Sequence, residues 1–132
     1  VIAGDLSVAD LPAGWRVRVT HVLGITPPDD AQWCLQDIHW SGGNFGYFPT
    51  YTLGNLYAAQ FFASAQAELG NLDEQFRRGE FLPLKAWLNR KIHREGQRYR
   101  AADLVAAVTG EPLNPGYLLR HLRQKYGALY GL

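Results

Sequence analysis

Gln36, Asp37, His39 and Trp40 stand within five residues, and Phe45, Tyr47, Phe48 and Tyr51 follow them across a glycine-rich run. These types can handle a peptide bond. An imidazole at His39 can donate a hydrogen bond to a carbonyl, and the phenols of Tyr47 and Tyr51 can donate to a developing oxyanion. Gln36 and Asp37 can fix the imidazole tautomer or hold peptide backbone. The competing reading is an aromatic core loop whose polar groups satisfy one another internally.

Other chemistry finds less support. The four histidines, His21, His39, His93 and His121, include no pair at the spacing of two helical ligands. No HExxH occurs, so no metal site is expected in this chain. Cys34 lies between Trp33 and Leu35 and reads as an inert small hydrophobe. The "SGGNFG" run follows a helix and lacks a Lys-Ser/Thr pair, which argues against a phosphate loop.

Composition bounds the rest. The chain has 132 residues, 47% hydrophobic and 19% charged, enough for one globular domain with one core. A formal net charge of +1 argues against nucleic acid as a partner. The basic stretch "RKIHREGQRYR" is interrupted by Glu95; His93, Arg94, Arg98 and His121 read as surface charge or as contacts to a missing part. A single cysteine cannot form an internal disulfide, which fits a cytoplasmic location. No segment approaches a membrane span. The chain has no methionine and opens abruptly, as expected of a processed product or a fragment.

The elements that must position these residues read as helices. Pro12 and Gly24 bracket a first helix with Trp15, Val19, Val22 and Leu23 on one face. "TPPDDAQWCLQ" predicts a short helix capped by Thr26 and ending near Asp37. A long helix is predicted from Pro49 to Leu69, ended by Gly70 and Asn71, with Leu53, Leu56, Tyr57 and Phe61 as its stripe. A short helix from Asp73 to Arg78 follows. Next comes one carrying Leu84, Trp87, Leu88 and Ile92 inward and stopping at Gly96. "AADLVAAVTG" is another. The last helix has Asn114 as cap, Pro115 at the first position, and Leu118, Leu119, Leu122 and Tyr126 as its buried face. No hairpin signal appears, and the fold class is all-α.

Beside this reading stands a resemblance. "LQDIHWSGGNFGYFPTYTLGNLYAAQ", "GEFLPLKAWLNRKIHREGQRY" and "VTGEPLNPGYLLRHLRQKYGALYGL" resemble the C-terminal part of the carboxypeptidase Taq family, the thermostable carboxypeptidases. The likeness covers essentially all of residues 1–132, read as a single helical segment. Gln36, Asp37, His39 and Trp40 match the family signature G-x-x-Q-D-x-H-W, whose glycine falls on Trp33. The resemblance implies an HExxH-type zinc metallocarboxypeptidase, with cobalt as an alternative metal. The metal ligands and the arginine for the substrate carboxylate would lie upstream of this segment.

By analogy with related HExxH peptidases, His39 would bond the substrate carbonyl and Tyr47 would stabilise the tetrahedral oxyanion. Gln36, Asp37, Trp40 and Tyr51 would contact the peptide substrate. The isolated chain would be inactive and would self-associate through apolar surface that once faced upstream helices. The alternative is a non-catalytic helical module that binds a peptide or a partner helix.

Overall fold

A computed structural model describes residues 1–131 and is helical, with no strand among the described residues. It divides into two compact units, Val1–Phe48 and the remainder from Pro49.

The first unit opens with helix α1, Leu11–Leu23. Pro12 occupies its first turn, where an N–H has no intrahelical partner to lose. Gly24 closes it at φ 70°, donating its N–H to the Thr20 carbonyl at 2.9 Å. The expected inward stripe holds only in part. Trp15 and Val19 are half-buried, whereas Val22 and Leu23 are exposed. The turns that pack are the early ones, where Gly14 lies close against Leu6.

The short helix expected after it is two 3-10 turns, Asp30–Gln32 and Cys34–Gln36, separated at Trp33. Nor is Thr26 the cap. Asp29 Oδ1 accepts the Gln32 N–H at 2.9 Å, while the Thr26 hydroxyl pairs with that of Thr20 at 3.1 Å. The reason is chemical. Pro27 and Pro28 carry no N–H, so a cap at Thr26 would lack part of its donors, and the capping role moves past them. Trp33 and Cys34 are the buried residues of this unit.

The second unit follows the sequence signals closely. Helix α2 spans Pro49–Leu69, and Gly70 ends it at φ 82°. Helix α3, Leu72–Arg77, is capped by Asn71, whose Oδ1 accepts the Glu74 N–H at 3.1 Å. Helix α4, Leu82–Lys91, is followed by a 3-10 turn, His93–Glu95. Helices α5, Ala101–Thr109, and α6, Gly116–Tyr130, complete the unit. Pro115, expected inside α6, stands at its cap position, and the expected cap Asn114 lies one residue further out, where its Oδ1 still accepts the Gly116 N–H at 2.9 Å.

The core joins Ala65 of α2, Leu72 of α3 and Trp87 of α4, with Phe61, Phe62, Leu84 and Leu88 packed around them. One polar residue is buried among the apolar ones. Gln60 donates to the Thr109 hydroxyl at 2.9 Å and to the Pro112 carbonyl at 3.1 Å, and it accepts the Asn114 N–H at 2.8 Å. It thereby satisfies backbone groups of the α5–α6 turn that burial would otherwise strand. The Lys91 ammonium, 2.9 Å from Glu68, holds that carboxyl below its usual range. Expected core residues on two helices lie outside it: Leu53 of α2, and Leu119, Leu122 and Tyr126 of α6, are exposed. No described helix is long and apolar enough to cross a membrane.

Candidate functional site

The segment between the second 3-10 turn and α2 brings three of the predicted site residues together. Asp37 leaves the turn in an extended conformation. Its Oδ1 accepts the main-chain N–H of His39 at 2.9 Å and also contacts Nδ1 of the His39 ring. The main-chain N–H is the principal cause that holds the Asp37 carboxyl below its usual range; the imidazole adds to it, and burial opposes it. The His39 ring stacks on Tyr47, with centroids 5.5 Å apart and planes 28° from parallel. Phe48 meets the same ring edge-on at 5.9 Å. Asp37 and His39 are largely shielded, while Tyr47 is half exposed. A shielded acid–imidazole pair with a phenol at its face is suited to polarising a carbonyl and stabilising an oxyanion.

The glycines shape this loop. Gly43 at φ 71° and Gly46 at φ 77° adopt left-handed backbone that other residues rarely take. They allow the chain to turn between Trp40 and Tyr47. The Asn44 N–H returns to the His39 carbonyl at 2.9 Å, closing the turn locally.

The remaining predicted residues take other positions. The Gln36 amide donates to the Ala31 carbonyl and so ties the second 3-10 turn back to the first. Trp40 packs edge-on against Trp15 at 5.4 Å and Phe45 at 5.6 Å. Its indole N–H is buried and finds no acceptor among the described residues. Tyr51 lies exposed in the first turn of α2, in the second unit. Trp33, at the signature's glycine position, is only 7% exposed, so its indole fills the interior of the first unit. The sequence reading placed Phe48 in the aromatic run and Trp15 on a helix face but gave the partner of neither: Phe48 touches His39, and Trp15 supports Trp40 from α1.

In the second unit, a groove of about 750 Å³ opens between α2 and α6, lined by Ala58, Ala59, Ala63, Tyr117, Arg120 and His121 among others. None of the predicted site residues lines it.

Residues 1–126 match the carboxypeptidase Taq (M32) metallopeptidase family. The chain belongs to this family. It is 53% identical over 128 residues to thermostable carboxypeptidase 1 of Thermus thermophilus, a match covering 97% of this chain and 25% of that protein. It is 45% identical over 130 residues to carboxypeptidase 1 of Bacillus subtilis, covering 98% and 26%. Among solved structures, the M32 carboxypeptidase from Deinococcus radiodurans matches with a TM-score of 0.93 at 40% identity, covering 99% of this chain and 27% of that one. The chain thus spans about a quarter of the length of these relatives.

Membership implies a metal cofactor for a full-length enzyme of the family. Among the described residues, no group of three or more His, Cys, Asp or Glu side chains is arranged to hold a metal ion. The described residues of this chain do not supply a ligand set for that metal.

Proposed function

We propose that this chain forms the substrate-carbonyl and oxyanion wall of a metallocarboxypeptidase that releases C-terminal amino acids from peptides. The observation that carries the reading is the assembly of Asp37 and His39, on the Q-D-x-H-W segment, with Tyr47 from the glycine-rich run after it. His39 bonds the carbonyl of the scissile peptide. Tyr47 donates its phenolic hydrogen to the oxyanion as the carbonyl carbon becomes tetrahedral. Trp40 and Phe45 shape the wall, and Tyr51 contacts peptide. The metal, zinc or cobalt, belongs to residues of the parent enzyme outside this segment, and the chain alone is inactive. The buried, unpaired Cys34 suits a reducing cytoplasm.

The test is a chimera. In the Thermus thermophilus thermostable carboxypeptidase 1, the matching quarter is replaced by this chain. The chimera should hydrolyse peptides from the C-terminus, and His39→Gln in it should lower kcat/KM by roughly 100-fold. A folded chimera whose activity His39→Gln leaves unchanged would refute the carbonyl role.

Alone, the chain should associate with copies of itself. Leu119, Leu122, Leu129 and Tyr130 make an exposed apolar row along α6. Light scattering on the isolated chain should give a mass above that of the monomer, rising with concentration. A monomeric mass throughout would reject the expectation.

A further inference from the structure

Asp37 does not use its carboxylate as a wall residue would. One oxygen, Oδ1, meets two groups of the same histidine: the main-chain N–H at 2.9 Å and the ring Nδ1. The reach is two residues, the span over which an Asp or Asn side chain turns back on its own backbone. A glutamate would be one methylene too long for that turn. Of Asp and Asn, only aspartate places a full negative charge beside the ring nitrogen. Tyr47 and Phe48 hold the same ring from its face and its edge. The imidazole is therefore oriented by the Asp-x-His spacing itself and by aromatic neighbours a few residues on.

The position of the hydrogen follows from the donor inventory. An ionised carboxylate only accepts, so the hydrogen between Asp37 and His39 sits on Nδ1.

We propose that Asp37 is a positioning residue and not a substrate contact: it clamps Nδ1 of His39 and fixes the hydrogen of the neutral ring on that nitrogen. The clamp does not depend on the carbonyl role proposed above.

The clamp is tested on the chain itself. Two-bond proton–nitrogen correlation spectra of the nitrogen-labelled protein, recorded where imidazoles are neutral, report the tautomer of each ring. The His39 signals are those that vanish in His39→Gln. Wild-type His39 should carry its hydrogen on Nδ1, and Asp37→Ala should move it largely to Nε2, the preference of an unconstrained side chain. Wild-type His39 with hydrogen on Nε2 would overturn the clamp, and that spectrum decides even if the variant fails to fold.

The His39→Gln result in the chimera judges the carbonyl role separately.

Discussion

Tyr47→Phe in the chimera should lower kcat by about 100- to 1,000-fold, equivalent to roughly 2.7–4 kcal/mol of lost transition-state stabilisation. KM should change little, because the phenolic hydrogen bond would form only as the oxyanion develops. The stacking with His39 at 5.5 Å involves the ring, which phenylalanine keeps. Tyr51→Phe is the control, since that phenol also sits near the signature segment in sequence. A large fall in kcat for Tyr51→Phe with Tyr47→Phe unaffected would transfer the oxyanion role to Tyr51. Equal, small effects from both would refute a phenolic donor on this chain.

Several helix ends were legible because they were written in residues that act locally, although α4 ends at Lys91, short of the expected stop at Gly96. Gly24, Gly70 and Gly110 close helices at positive φ, and the long helix from Pro49 to Leu69 lies where the punctuation placed it. The Asp37–His39 contact was one of two readings the sequence left open, beside a peptide contact for Asp37, although a two-residue spacing makes such a local contact possible. Burial was less legible. The stripes on α1 and α6 had the right period, yet Val22, Leu23, Leu119 and Leu122 are exposed. Period identifies which residues share a face, whereas the surroundings decide whether that face is covered. Gln60 shows the opposite failure. It gave no local sign of burial, because its partners Thr109, Pro112 and Asn114 lie about fifty residues away along the chain. The stacking of Tyr47 on His39 depended on a glycine loop whose course the residue types permitted but did not determine.

Trp87→Ala should cost about 3–5 kcal/mol, the range for deleting a buried aromatic side chain. Trp87 is fully buried, and it links α4 to Ala65 of α2 and Leu72 of α3. No neighbour can easily fill its volume. Ala65 is small, and the packed Phe61, Phe62 and Phe76 are rigid rings that leave a void when the indole is removed. Against a total stability of order 5–15 kcal/mol, this loss would bring the fold close to its threshold. Thermal melts followed by circular dichroism should therefore show a fall in Tm of about 10 °C or more. Trp87→Phe, which refills part of the space, should recover much of that loss. Leu129→Ala removes an exposed side chain near the end of α6 and should shift stability by no more than about 0.5 kcal/mol. If Trp87→Ala and Leu129→Ala proved equally mild, the core centred on Ala65, Leu72 and Trp87 would not be what holds α2, α3 and α4 together. The contrast between these two apolar truncations separates burial from hydrophobicity as the source of the stabilisation. It is burial that removes apolar surface from water and fills the interior with contacts.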